Sequence, residues 1–187
     1  MTLGRGMTRR VGMLVNPDAG LGGRLGFKGS DGRAAEARAA GAEDRAGPRM
    51  RQALERCQDR LEGVEILTCS GRMGAEWVPI EHTVVFETPT QTSAETTQEA
   101  VAALCEAGID LLFYAGGDGT TRDIIEALPD SELPVIGVPG GVKMHSGCFA
   151  ASPNAAAEVL LAWLAGDLLL ARTEVMDLDE EVYREGR

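Results

Sequence analysis

Six mainly apolar residues, 109–114 (IDLLFY), run without a break into Ala115-Gly116-Gly117-Asp118-Gly119-Thr120, and this junction restricts the fold more than any other part of the chain. A continuous apolar run of strand length reads as a strand buried on both faces, the kind found in parallel sheets. The glycines after it remove the Cβ atoms that would keep a ligand away from the backbone. If a helix follows, its first amides and its dipole can hold phosphate oxygens. An aspartate is an odd choice beside a phosphate, because its charge repels one. Asp118 makes sense if it holds Mg²⁺ or accepts a proton from an attacking hydroxyl. Thr120 can donate to a phosphate or cap the helix.

The rest of the chain repeats this strand-then-helix pattern. Strands are expected at 10–15, 64–69, 82–87, 109–114 and 134–138, and another at 172–178. Helices are expected at 33–40, after Pro48, after Ser93, at 121–128 and at 154–164. Met50, Leu54, Cys57 and Leu61 share one face after Pro48. Gly108 ends the helix that Ser93 opens. Residues 71–80, with Trp77, form a short helix or turn. The implied class is α/β: an open, mostly parallel sheet with helices on both faces. Ligands in such sheets bind outside the carboxyl ends of the strands. Three glycine-rich loops follow strands, at 16–32, 115–120 and 139–147, so they converge if those strands are neighbours. Asn16, Gly20, Gly22 and Gly23 would then face Gly116, Gly117, Gly119 and Thr120, with Gly140 and Gly141 beside them.

Lysine is scarce; Lys28 and Lys143 are the only two. Lys143 follows a strand and a Gly-Gly turn and is the candidate cation for the crevice. Lys28 lies in the first glycine loop. No G-x-x-x-x-G-K-[ST] can be read through Lys28, and Leu25 breaks a G-x-G-x-x-G, so neither the P-loop nor the dinucleotide fingerprint is present. Asp123 is expected to be an exposed helix carboxylate, and Arg122 a surface cation. His82, His145 and Ser146 are expected to be structural. The hydroxyl-rich run 88–97 can contact ribose or phosphate, or serve capping and solvation. Trp77 could stack on a base, although packing is the commoner use of a lone tryptophan.

The formal charge of −11 and the lack of a basic stripe argue against nucleic acid as a partner. No apolar run has the length of a membrane span, and the Gly/Arg-rich start has no signal-peptide core. A cytoplasmic protein without membrane attachment is expected. The four cysteines lack zinc-ligand spacing and read as reduced, mostly buried small side chains.

The Gly116–Thr120 string resembles the G-G-D-G-T loop shared by NAD kinases, diacylglycerol- and sphingosine-type lipid kinases and, more distantly, phosphofructokinases. Val15-Asn16-Pro17-Asp18-Ala19-Gly20 resembles the V-N-P-x-A-G opening of the ATP-NAD kinase-like family, which includes the acetoin-catabolism X proteins. Residues 137–147 (GVPGGVKMHSG) resemble that subgroup's G-x-P-x-G-V-K-M-x-S-G segment and depart from the G-T-x-N-D type of the lipid kinases. Nearly the whole chain, about 10–187, is covered. The resemblance implies phosphoryl transfer to a hydroxyl with ATP and Mg as cofactors, the acceptor being the 2′-hydroxyl of NAD or a similar small molecule. It assigns Asp118 as catalytic base and possible Mg ligand. A lipid or sugar kinase and a non-catalytic nucleotide-binding fragment are the alternatives.

The domain organisation expected is an α/β nucleotide-binding domain over 1–170, of which 1–9 are disordered or a reading-frame extension ahead of Met7. Residues 171–187 would open a second, mainly β domain that is truncated here. In the family that domain carries an Asn-Glu motif, and no Asn-Glu pair occurs in this sequence. NAD kinases commonly assemble through it, so a homo-oligomer is conceivable.

Overall fold

The computed structural model describes residues 8–19, 45–129, 133–140 and 148–167. Five strands, β1 (Arg10–Val15), β2 (Glu65–Cys69), β3 (Thr83–Phe86), β4 (Leu111–Gly116) and β5 (Val135–Pro139), form one sheet in the order β3-β2-β1-β4-β5. Every neighbouring pair is parallel. Among the described residues four helices accompany it: α1 (Ala46–Cys57), α2 (Ala94–Glu106), α3 (Asp118–Ala127) and α4 (Pro153–Leu164). The expected α/β class, an open parallel sheet covered on both faces, is the fold observed.

The strands themselves show why both faces are covered. Val11, Met13 and Val15 of β1 join Leu111, Phe113 and Ala115 of β4 in a core completed by α1 and α4. Leu14, Leu112 and Tyr114 point the other way, into a second core with Val101 and Leu104 of α2 and Ile124 of α3. Successive side chains of a strand alternate faces, so an unbroken apolar run feeds two cores at once.

The helix ends follow local chemistry. Ser93 accepts from the Thr96 amide while Thr96 accepts from the Ser93 amide, a reciprocal capping box at the start of α2. Gly108, at φ +86°, turns the chain out of the helix where a side chain would be strained. Ser152 caps α4, with Pro153 in the first turn. Residues 71–80 contain two single 3-10 turns, Gly71–Met73 and Ala75–Trp77. Met50, Leu54, Cys57 and Leu61 are all buried, as their spacing suggests, although the regular helix ends at Cys57.

Several strand ends shift by one or two residues, and two of the differences bear on the site. β4 runs two residues further, through Ala115 and Gly116, because β1 pairs with Ala115 and β5 with Gly116. The next helix begins at Asp118 and not Thr121. The helix expected at 33–40 and the strand expected at 172–178 lie outside the described residues.

The strand order reverses between β1 and β4. From β1 the chain builds outward through β2 to β3, then returns to place β4 and β5 on the other side. Helix α1, which follows β1, packs into one core and α3, which follows β4, into the other, so this reversal marks the carboxyl edge where such sheets bind ligands.

Candidate phosphate-binding site

Gly116 closes β4 and Gly117 precedes the first residue of α3, Asp118. A Cβ on Gly116 would lie 2.5 Å from Thr120 Oγ1 and 2.7 Å from its Cβ. The glycine thus lets the helix fold back tightly over the strand it follows. Thr120, itself buried, uses its hydroxyl to join the loops: Asn16 Nδ2 donates to Thr120 Oγ1 at 2.8 Å, and the Gly117 amide donates to it at 3.4 Å. Asn16 is held in turn, because its amide donates to the Ala115 carbonyl at 3.0 Å and its Oδ1 accepts from the Asp18 amide at 3.1 Å.

The loop after β5 closes on the same point. The Gly140 amide donates to the Gly116 carbonyl at 3.0 Å, and a Cβ on Gly140 would meet that carbonyl oxygen at 2.7 Å. Asn16, Gly116, Gly117, Asp118, Gly119, Thr120 and Gly140, taken from three separate loops by sequence alone, are therefore neighbours in space. Gly20, Gly22, Gly23, Gly141 and Lys143 lie outside the described residues, as do Lys28, His145 and Ser146.

Asp118 is not in mid-loop, as expected, but is the first residue of α3. The difference has a physical reason, since a carboxylate in the first turn interacts favourably with the helix dipole and Gly117 serves as the N-cap. Unlike α2 and α4, α3 has no side chain capping its first turn. Gly119 differs from Gly116 and Gly140. A Cβ there would meet nothing within 4 Å, and its φ is not positive.

Below the loop is a buried hydroxyl chain. Thr121 Oγ1 donates to the Gly117 carbonyl at 3.1 Å and accepts from the Tyr114 hydroxyl at 2.6 Å. Burial holds the Tyr114 phenol protonated well above its ordinary range, with Cys148 and then the Asp118 charge adding to the effect. Cys148 is also pushed up, chiefly by burial. The Phe149 ring lies against Tyr114, 5.7 Å between centroids, and residues 148–150 run beside Gly137. This packing supports the loop from beneath.

Other candidates take structural parts. Asp123 is buried, 6% exposed, and so corrects the expectation of an exposed carboxylate: it lies on the turn of α3 that also buries Ile124. Arg122 approaches Asp123 at 3.7 Å. Trp77 donates from Nε1 to the Arg72 carbonyl at 2.8 Å, and its ring fills the space where Gly47 lacks a side chain. His82 meets the Ile80 carbonyl at 2.7 Å. Thr88 is tied to Ser70, Thr92 to Asp18, and Ser93 with Thr96 caps α2. Thr88, Thr92, Ser93 and Thr96 of the hydroxyl-rich run are thus engaged in capping and loop ties.

Arg49 was not legible as a site residue. Its Nη1 donates to the Pro139 carbonyl at 3.4 Å, at the strand end that carries Gly140. Its spacing marks only a helix position beside Met50. A cleft of about 310 Å³ bordered by Arg9, Arg60, Glu62 and Leu161 opens at the opposite, amino edge of the sheet, away from these loops. Among the described residues no three metal-ligating side chains cluster. Magnesium commonly sits on one or two carboxylates plus phosphate oxygens, so Asp118 fits an ion that is held mostly by a bound polyphosphate.

Parallel strands with glycine-lined loops gathered at the reversal of strand order define the α/β domains that bring a ligand to the carboxyl edge of the sheet. Within that class the chain belongs to the ATP-NAD kinase family: residues 11–168 match the model of the ATP-NAD kinase N-terminal domain. The family is one of kinases, ATP-using and acting on small molecules. No curated protein matches the chain. Among the described residues, no helix is long and apolar enough to cross a membrane.

Proposed function

We propose that the chain provides the phosphate-binding and catalytic loop of an ATP-dependent phosphotransferase, with the 2′-hydroxyl of NAD as acceptor. The observation that carries this reading is Gly119. Gly116 and Gly140 are glycines because the protein's own atoms occupy the space a side chain would need. Gly119 has no such reason, sits in the first turn of a helix, and costs that helix about 0.5–1 kcal/mol relative to alanine. Its missing side chain serves a group that approaches from outside.

In this reading the first amides of α3 bind phosphate oxygens, supported by the helix dipole. Gly119 lets the polyphosphate lie against the first turn of the helix, while Gly116 and Gly140 let the loops close on one another. Asn16 and Thr120 fix the distance between the loops. Asp118 orients the acceptor hydroxyl and takes its proton as the phosphoryl group leaves its donor. Mg²⁺, when bound with the nucleotide, neutralises charge on the phosphates, and Asp118 is the side chain that would hold it. Phosphoryl transfer requires mainly positioning and charge neutralisation, which backbone amides and one carboxylate can supply. Gly20, Gly22, Gly23, Gly141 and Lys143 are proposed to complete the loops.

The test offers the chain ATP with Mg²⁺ and, in parallel, NAD, a diacylglycerol and a polyol, and follows transfer of labelled γ-phosphate. Labelled NADP as the product is expected. Label on the lipid or the polyol instead would overturn the assignment of acceptor. Binding of ATP without transfer to any of the three would reduce the chain to a nucleotide-binding module.

A further inference from the structure

We propose that Arg49 is a phosphate-contacting residue of this site, and that it supplies positive charge to the pyrophosphate group of a bound nucleotide. The proposal rests on the functional reading above and adds to it a residue on a different helix. Arg49 lies in the first turns of α1, and its guanidinium reaches the carbonyl of Pro139 at the carboxyl end of β5. Pro139 is paired with Gly116 across the sheet, and the next residue, Gly140, donates to the Gly116 carbonyl. The guanidinium is therefore placed one strand from the first glycine of the loop.

Its bonding is unusual for a half-buried arginine. Guanidinium has five N–H donors in a rigid fork. Among the described residues, one of them makes one long bond of 3.4 Å to a neutral carbonyl, and no carboxylate faces the group. Arg10, by comparison, holds Glu65 at 2.9 Å, and Arg56 holds Glu158 at 3.3 Å. In a chain with a net charge of −11, this guanidinium stands at the carboxyl edge of the sheet with a neutral carbonyl as its bonded partner. A planar fork matches the paired oxygens of a pyrophosphate, and the weak carbonyl bond is readily exchanged for a charge-assisted one.

The same chemistry occurs in the donor triphosphate and in the bridging pyrophosphate of a dinucleotide. Binding of ATP, ADP, AMP, adenosine, NAD and inorganic tripolyphosphate to the full chain, measured by calorimetry for wild type, Arg49→Gln and Arg49→Lys, separates them. Arg49→Gln is expected to weaken ATP, ADP and tripolyphosphate at least ten-fold and leave adenosine unchanged, with Arg49→Lys between. A ten-fold loss confined to NAD supports the same role on the acceptor's pyrophosphate. The variant should melt within about 2 °C of the wild type, since a single long bond is lost. Equal affinities in wild type and Arg49→Gln, or an equal loss for ATP and adenosine, overturn the proposal and leave the phosphate-loop reading standing. Failure of the wild type to bind any of these phosphates overturns both.

Discussion

Gly116, Gly119 and Gly140 are the same letter in the sequence and three different situations in space. At Gly140 an added methyl would meet the backbone of Gly116, which cannot step aside. Gly140→Ala should therefore destabilise the fold by about 1–3 kcal/mol, the usual cost of overpacking, which denaturant titration will measure. At Gly119 the methyl has room, so Gly119→Ala should raise stability by about 0.5–1 kcal/mol while weakening nucleotide binding. An alanine variant more stable than wild type but with unaltered affinity would show that nothing approaches this backbone. Asp118→Asn keeps the shape of the side chain and removes its charge. It should reduce transfer by roughly 10²–10⁴-fold, the usual size of a general-base contribution, with ATP affinity largely retained. Full turnover in that variant is the result that would remove Asp118 from the chemistry.

The elements differ in how much of them was written locally. α2 was readable at both ends because a serine and a glycine mark them, and its cap is a local bond. Ser93→Ala should cost about 1 kcal/mol, the common value for an N-cap serine, seen as a lower denaturant midpoint at an unchanged slope. β4 and α3 were readable in kind but not in extent. β4 extends to Gly116 because strands on both sides offer partners. α3 begins at Asp118 because Thr120 folds its hydroxyl back onto the Gly117 amide and Asn16 holds it there. Asn16 is 104 residues away in the chain, so no window of sequence around Thr120 contains the contact that completes the turn.

The two-core construction of the whole molecule leads to a pH dependence. Cys57 lies in one core and Cys69 in the other, and burial pushes their thiols up to about 11 and about 12 from 9.0. A raised pKa means that the folded state holds the proton more tightly than the unfolded chain does. The stability from burying these thiols is complete below pH 9 and declines as pH rises from 9 toward 11–12, where the unfolded chain ionises first. Thermal unfolding should thus shift to lower temperature between pH 9 and 11, and a Cys57→Ala, Cys69→Ala variant should show a shallower decline. Identical slopes in the two proteins would assign the alkaline loss to other groups.

Class, strand positions and the loop that carries Asp118 could be read from the chain because each depends on neighbours a few residues away: apolar runs of strand length, glycines at strand ends, serines at helix starts. The family resemblance rested on the same short strings. The meeting of Asn16, Thr120, Gly116 and Gly140 arose from the order of the strands, which no local pattern encodes. Burial of Asp123 and the reach of Arg49 to Pro139 depend likewise on how helices sit on the sheet. Hydrogen bonds and packing across 90 or more residues of chain exist only once the sheet has assembled, and those contacts bring Asn16 to Thr120 and Arg49 to Pro139.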